Sequence, residues 1–164
     1  MYARPEWRDD FKYLPDSMAR VWTERAIDYS ENLPDQDDID FANWAHDMVK
    51  HFSDAEVGIM AGTDCPIFFL TPGFSLHEEL RLLVYSGLSP LQAIEAATLR
   101  PAQYFNLENE LGTIEEGKIA DLLILNANPL DDILNTQKIN TVVKNGNVFN
   151  REKLDQILKR LEEN

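Results

Sequence analysis

The chain has 164 residues, of which 44% are hydrophobic, enough to form one domain with a core of its own. Its 29 acidic residues outnumber its 15 basic residues, and the formal net charge of -14 repels nucleic-acid phosphates and anionic lipid surfaces. A single cysteine, Cys65, excludes an intrachain disulfide, and no apolar run approaches the ~20 residues of a membrane span. We therefore expect neither nucleic acid nor a membrane as a partner, and the cellular compartment stays unknown.

The first third of the sequence predicts two helices separated by an acidic loop. A capping residue and apolar side chains at helical spacing predict a helix over residues 16–29. Pro34 and four aspartates predict an exposed loop over residues 30–40. A calcium loop is the alternative, but the required glycine and the distal glutamate are absent. The next helix carries one continuous apolar stripe, which should be buried; it consists of Phe41, Trp44, Ala45, Met48, Val49 and Phe52.

Two histidines, His46 and His51, lie on this second helix. They are five residues apart, a separation that does not bring two imidazoles onto one face, as metal chelation from a helix requires. We interpret both as exposed or edge residues.

A short apolar run, Val-Gly-Ile-Met-Ala at residues 57–61, follows the second helix and predicts a strand buried on both faces of a parallel sheet. Asp64 comes directly after it. In α/β folds the loops that follow the carboxyl ends of parallel strands face the active site, so Asp64 is a candidate for binding a metal or moving a proton. An aspartate that only caps the following loop is the alternative.

The rest of the sequence predicts helices first and strands later. A helix that ends at Gly87 is followed by a second one, for which Ser89, Pro90 and Gln92 supply three start signals. The later predicted elements are a helical turn at residues 102–105, a strand at 119–125, a hairpin of strands 139–144 and 148–149 around Asn145-Gly146, and a terminal amphipathic helix capped by Asn150.

Four segments in a fixed order carry a family resemblance. They are Ala-Gly-Thr-Asp-Cys-Pro at residues 61–66, Gly-Phe-Ser-Leu-His-Glu-Glu-Leu at 73–80, Gly-Leu-Ser-Pro-Leu-Gln-Ala-Ile-Glu-Ala-Ala-Thr at 87–98, and Leu-Gly-Thr-Ile-Glu-Glu-Gly-Lys-Ile-Ala-Asp-Leu-Leu-Ile-Leu at 111–125. Together they resemble the C-terminal part of the amidohydrolase superfamily, especially its imidazolonepropionase-like and prolidase-like members. The resemblance implies an α/β fold: the C-terminal fragment of a (β/α)8 barrel over residues 1–110, then the C-terminal strands of a small β-sandwich and a terminal helix over residues 111–164.

The resemblance also implies a role for Asp64. In this family the matching aspartate contacts a divalent metal, usually zinc, and relays a proton from the attacking water to the leaving group. The family's other metal ligands are histidines and a lysine or glutamate on earlier strands, and His46, His51 and His77 match none of those motifs. Because zinc requires three or four protein ligands, we expect no metal in this chain alone and no activity without the missing ligands.

Three residues near Asp64 are candidates for contacting a substrate. His77 matches a histidine of the family's Leu-His-Glu-Glu-Leu segment, and a structural hydrogen bond between helix and loop is the interpretation that we favour for it. Phe68 and Phe69 lie in the loop after the predicted strand, where they could line a pocket, although packing is the simpler interpretation.

These observations predict a fragment of a metal-dependent amidohydrolase. The parent enzyme would hydrolyse a C–N bond in a cyclic amide, a dipeptide or another small molecule, and the expected partners are the missing N-terminal part of the barrel or a second copy of the chain. A non-catalytic α+β module for binding or oligomerisation, derived from the family, is the alternative. A complete barrel takes about 250 residues, more than this chain has.

Overall fold

The computed structural model describes residues 5–31, 34–67 and 69–163, and it shows a mixed α/β fold. In chain order the elements are a 3-10 helix at Pro5–Tyr13, α1 at Asp16–Glu31, α2 at Gln36–Asp54, α3 at Phe74–Tyr85, α4 at Pro90–Ala97, α5 at Leu99–Tyr104, β1 at Leu122–Leu125, a second 3-10 helix at Ile133–Gln137, β2 at Ile139–Lys144, β3 at Asn147–Phe149 and α6 at Arg151–Glu162. In the described part of the chain, none of the helices is both long and apolar enough to cross a membrane.

The start of α2 differs from the prediction. Asp35 adopts an extended conformation and its side chain accepts a hydrogen bond from the amide of Asp38, while the Asp38 side chain accepts one from the amide of Asp35. This reciprocal pair is a capping box. The prediction of an exposed loop was therefore wrong for residues 36–40, because their acids favour the positive end of a helix and do not form a separate loop.

Replacing the capping residue tests this interpretation. We expect Asp35→Ala to lower the free energy of unfolding by about 1 kcal/mol, because it removes the acceptor for an otherwise unpaired amide. Asp35→Asn keeps a capping oxygen and should stay within a few tenths of a kcal/mol of the parent chain. Urea unfolding followed by circular dichroism measures both variants, and equal losses in the two would contradict the capping role.

The apolar stripe of α2 is not buried as predicted. No residue of α2 is buried, and Phe41, Trp44 and Phe52 expose 68%, 57% and 46% of their surfaces. The other edge of this apolar stripe packs through Val49 against the main apolar cluster. His46, which lies half-buried, contacts Ser86 and Tyr85, and His51 is exposed, as predicted. Large aromatic surface therefore lies open along α2.

The main apolar cluster joins α3, α4 and the second 3-10 helix. Its buried members are Leu80, Leu83, Leu88, Ala93, Ala96 and Ile133. Two alanines of α4 are almost fully buried, so α3 and α4 pack closely. The predicted start of α4 is confirmed: Ser89 caps the helix in a capping box with Gln92, and Pro90 opens it.

Residues 57–61 do not form the predicted strand. In the described residues they pair with no strand, and the sheet that is present is antiparallel and lies elsewhere. Nor are they buried on both faces, since Val57 and Met60 expose 52% and 42% of their surfaces. One face is covered nevertheless, because Ile59 and Ala61 pack against the main cluster. The segment has the one-sided burial of a strand whose neighbours are not among the described residues.

A second apolar cluster lies beneath the loop that follows Asp64. It brings the first 3-10 helix and α1 against Phe69, and its buried members are Phe11, Leu14, Trp22, Ala26 and Phe69. The Phe69 ring stacks on Phe11 at 6.1 Å between centroids and meets Trp22 edge-on at 6.2 Å. The N-terminal segment therefore holds this loop in place.

The sheet has three antiparallel strands in the order β1-β2-β3. The predicted hairpin is confirmed, because Asn145 and Gly146 both have positive φ (49° and 77°) between β2 and β3. β1 begins at Leu122 and not at Ile119, since Asp121 is used to fasten the hairpin: its carboxylate accepts hydrogen bonds from the Asn145 amide and from Lys144.

Candidate functional site

The segment that leads to Asp64 presents one face to the helices and one to solvent. Ile59 and Ala61 pack against the main cluster, and Thr63 is half-buried after them. Gly58, Met60 and Gly62 alternate with these residues and are exposed, and Asp64 is the next residue in that exposed series. Alternation with a period of two is the geometry of a strand. The alternation ends at Asp64, whose side chain is exposed.

Three hydrogen bonds hold this segment on the helices. The Ala61 amide donates to the carbonyl of Ala96 in α4 at 2.9 Å. The Gly62 amide donates to Oε1 of Glu79 in α3 at 3.5 Å, and the Ser75 hydroxyl donates to Oγ1 of Thr63 at 3.4 Å. Every residue from 61 to 63 is therefore fixed to a helix just before Asp64, and rigid support of this kind is what a functional side chain needs.

Asp64 itself adopts a left-handed backbone conformation, with φ at 55°. This conformation is uncommon outside glycine, although aspartate tolerates it, and it occurs often at functional sites. The side chain is exposed, and within the described residues its carboxylate makes no hydrogen bond or ion pair. The carboxylate is thus available to a ligand, and its catalytic role stays a prediction.

Glu79 is a residue that the sequence interpretation missed. Its carboxylate is half-buried beside Gly62, and burial raises its pKa while the Gly62 amide partly opposes the rise. It forms no ion pair with any residue that the structure describes. The sequence does contain a signal for Glu79, because this residue belongs to segment 73–80, one of the four that carry the family resemblance. The segment lies on α3, the first helix after Asp64.

His77 forms a hydrogen bond that joins α3 to the second 3-10 helix, and not to the loop after Asp64 as expected. Its Nδ1 lies 3.0 Å from the Thr136 hydroxyl, which itself donates to the carbonyl of Ile133 at 2.8 Å. Because a hydroxyl has one hydrogen, Nδ1 of His77 must be the donor, and in the neutral ring Nε2 then carries the lone pair. Burial lowers the pKa of His77, which favours this neutral form.

His77 and Phe69 line one cavity of about 710 Å³, whereas Asp64 is not part of its wall. The cavity lies between the loop at residues 69–75, α3, β2, α6 and the first 3-10 helix. Phe69 is both packed in the second cluster and part of this wall. The proposed substrate contacts of His77 and Phe69 stay predictions, and Phe68 lies outside the described residues.

The side chains that the structure describes around Asp64 do not form a complete metal site. Across residues 5–31, 34–67 and 69–163, no group of three or more His, Cys, Asp and Glu side chains is arranged to hold a metal ion. Asp64 would contribute one ligand, and Cys65 beside it is exposed. Zinc requires three or four protein ligands, so the described residues alone do not fit a zinc ion.

Asp10 is the most perturbed acid of the cavity wall. Burial, with a smaller contribution from the negative charge of Asp9, raises the pKa of Asp10 to about 6 from its usual 3.8. The native state therefore binds this proton more strongly than the unfolded state does. Stability is lost as the pH rises from about 4 to about 6 and is not regained above that range.

This linkage gives a prediction for Asp10→Asn. At pH 7.5 we expect the variant to be more stable than the parent chain by about 1 kcal/mol, a value discounted because the side chain is only half-buried. At pH 5.0, near the middle of the range between the two pKa values, the gain should be about half as large. Urea unfolding at the two pH values checks this, with Asp131→Asn, an exposed site, as the control. A gain that is equal at both pH values would contradict the prediction.

The model of the amidohydrolase family matches residues 30–149, which is more than half of the chain and includes Asp64. The chain belongs to the amidohydrolase family. This confirms the resemblance that the four sequence segments carry.

Curated relatives in the amidohydrolase family match only part of the chain and a small part of their own length. Imidazolonepropionase of Thermoplasma volcanium is 37% identical over 84 residues, which are 49% of this chain and 20% of that protein. Adenine deaminase of Mesorhizobium japonicum is 47% identical over 50 residues, which are 30% of this chain and 8% of that protein.

The solved structure of bottromycin amidohydrolase shows the extent of the shared fold. It superposes on 99% of this chain with a TM-score of 0.73 at 20% sequence identity, and the matched part is 36% of that chain. The fold of this amidohydrolase-family chain is thus the fold of one part of a larger family member. The predicted α/β class, a part of the barrel with a small sheet and a terminal helix, is confirmed.

Proposed function

We propose that this chain forms part of a hydrolase that cleaves a C–N bond in a small molecule. The observation that carries the proposal is the family match across Asp64, combined with an exposed carboxylate on a segment that α3 and α4 hold firmly. Asp64 accepts a proton from the attacking water as the C–O bond forms. It then donates the proton to the nitrogen as the C–N bond breaks.

The remaining groups of the site come from other polypeptide segments in this proposal. Members of the amidohydrolase family generally use a divalent metal, and we propose zinc here. Asp64 would be one of its ligands, and the others would be supplied by the N-terminal part of a barrel or by a second copy of the chain. The exposed apolar stripe of α2 and the exposed Met60 support such a neighbour, because they would be covered by it.

The names of the relatives support the substrate class that we propose. Imidazolonepropionase and adenine deaminase are named for small cyclic C–N compounds, and a dipeptide is the third candidate. We propose to measure product release from imidazolonepropionate, adenine and a dipeptide that ends in proline. The assay compares the chain alone with the chain co-expressed with the coding sequence upstream of it, in the presence of zinc and after chelation.

The expected result is hydrolysis that depends on the added segment and disappears on chelation. Stoichiometric tight zinc in the chain alone would contradict the incomplete site. Absence of hydrolysis in both preparations would favour the alternative, a non-catalytic module for binding or oligomerisation, which the exposed aromatic residues of α2 also support.

Association between copies gives a separate prediction. In the described structure, the backbone groups of Gly58, Ile59 and Met60 have no backbone partner, and unpaired strand edges promote pairing with another chain. We expect light scattering during size-exclusion chromatography to show dimers or larger species. The double variant Phe41→Ser, Trp44→Ser should shift the population towards monomer.

A matched control is Leu123→Ser, which removes an apolar side chain from the sheet that is also more than half exposed. It should leave the oligomeric state unchanged. A well-folded monomer of the parent chain would contradict the prediction.

A further inference from the structure

The cavity that contains His77 and Phe69 has features of a binding site that are independent of Asp64. Its volume of about 710 Å³ is in the range of small-molecule sites. Much of its wall is apolar, and these side chains include Phe69 and Leu70 of the loop, Ile139 and Val142 of β2, and Leu154 and Leu158 of α6. An apolar body of the size of a substituted benzene ring would fit among them.

The charged groups of the wall are mainly acidic once existing pairs are taken into account. Arg151 is engaged by the carbonyl of Ile139 at 2.9 Å and by Asp155 at 2.9 Å. Glu78 is paired with Arg81, so its charge is compensated as well.

Asp9 and Asp10 are the remaining charged groups of the wall. The nearest cation in sequence, Lys12, forms a salt bridge with Glu162 at 2.6 Å. Neither aspartate has a hydrogen bond or ion pair with another described residue. The wall of this apolar space thus carries two carboxylates without a hydrogen bond or ion pair to a described residue, and the charge of Lys12 only partly opposes the rise in the pKa of Asp10.

Two uncharged polar groups accompany these acids. The Thr71 hydroxyl is buried and has no hydrogen-bond partner within the described residues, which is rare for a buried polar group in a native fold. Nδ1 of His77 is occupied by Thr136, so Nε2 is the ring nitrogen left to accept a hydrogen bond. Polar groups of this kind in an otherwise apolar wall fix the orientation of a ligand.

We propose that this cavity binds an organic ammonium ion with an apolar body, with Asp10 as the counterion and the side chains from the sheet and α6 around the body. A cation is favoured because it would compensate the adjacent charges of Asp9 and Asp10, whereas a carboxylate ligand would add a third negative charge. The half-buried Asp10 lowers the stability of the folded chain when its carboxylate is ionised without a counterion. A bound ammonium ion would remove that cost, since a ligand that binds only the folded state stabilises it.

The site is distinct from the proposed hydrolytic centre. Asp64 is not part of the cavity wall, and the first 3-10 helix and α6, which both contribute to it, lie outside residues 30–149, the part that matches the family. The inference therefore goes beyond the proposed function. The Asp64→Asn variant distinguishes ligand binding in the cavity from the proposed hydrolysis, because it should retain full binding in the cavity.

The test uses three probes of similar shape and different charge: 2-phenylethylamine as the cation, 2-phenylethanol as the neutral analogue and 3-phenylpropionate as the anion. Each is titrated into the complete chain at pH 7.5 and followed by calorimetry and by NMR shifts of the backbone amides. We expect the amine to bind about tenfold more tightly than the alcohol, a difference typical of one charge-assisted contact, and the anion to bind least. The shifted amides should belong to residues 9–10, 69–78 and 151–158.

Two substitutions with the same change in charge complete the experiment. Asp10→Asn should abolish the preference for the amine over the alcohol, and Asp131→Asn, outside the cavity, should retain it. Circular dichroism establishes whether both variants are folded. If a variant does not fold, the comparison of the three probes on the parent chain still tests the proposal. Equal binding of amine and alcohol to the parent chain, binding of none of the probes, or shifts clustered around Asp64 would each overturn the proposal.

Discussion

Replacing Asp64 with asparagine is expected to lower the rate of C–N hydrolysis by at least about a hundredfold in the assembly that carries out the reaction. Asparagine has nearly the same shape but cannot accept and return a proton. Because α3 and α4 fix residues 61–63, the substitution should leave the backbone of this segment unchanged. Steady-state rates for the best substrate of the panel measure the effect, with the loss expected mainly in kcat.

Asp131→Asn is the matched control, since it makes the same chemical change at an exposed position outside the site. Metal content is measured for both variants, because loss of a metal ligand and loss of a proton acceptor both reduce the rate. An Asp64→Asn variant that keeps its metal and loses rate supports the proton relay. Full activity in Asp64→Asn would rule out the catalytic role.

Gly112→Ala should produce the largest loss of stability, about 3 kcal/mol. Gly112 has φ at +93°, a conformation that is unfavourable for alanine. A Cβ atom added there would lie 2.8 Å from Cβ of Ala102, closer than such atoms approach in proteins, and a tight 3.1 Å from Cα of Leu99. The neighbouring α5 would have to move, which adds the cost of overpacking.

Gly117→Ala separates the cost of the backbone conformation from the cost of the steric contact. Gly117 has nearly the same φ, +92°, but an added Cβ would meet no heavy atom within 4 Å. We expect its loss to be about 1 kcal/mol, from the backbone conformation alone. Urea unfolding of both variants gives the difference, which is the steric part. Similar losses in the two would show that the close approach to α5 has no energetic consequence.

Short-range signals in the sequence predicted local structure well. The capping box at Ser89 and Gln92, the cap at Asn150 and the turn at Asn145-Gly146 are all present. Each depends on hydrogen bonds or backbone angles within four residues, so the local sequence is sufficient to specify it. The start of α2 was missed because Asp35 and Asp38 can form a loop or a capping box, and only the reciprocal hydrogen bonds distinguish the two.

Long-range features were predicted less well. The apolar run at residues 57–61 predicts a strand, but a strand also requires partners, and apolar content cannot reveal whether these are present. The same is true of the stripe on α2, which packs against little of the described structure. For the candidate site, the role of Asp64 is predicted from its position and from the family resemblance, and it stays a prediction. The altered pKa of Asp10 was not identifiable, because it arises mainly from burial in the folded chain, which the local sequence does not reveal.

The salt bridge between Lys12 and Glu162 brings the two ends of the described chain side by side, with Nζ and Oε1 2.6 Å apart. Chains with neighbouring ends tolerate circular permutation, in which a short linker joins the old ends and new ones are opened in an exposed turn. The turn at Glu116-Gly117 is suited to this, since it is exposed and connects the helical part to the sheet. A permuted gene would then encode the sheet first and the helices that support Asp64 last, with the same set of contacts.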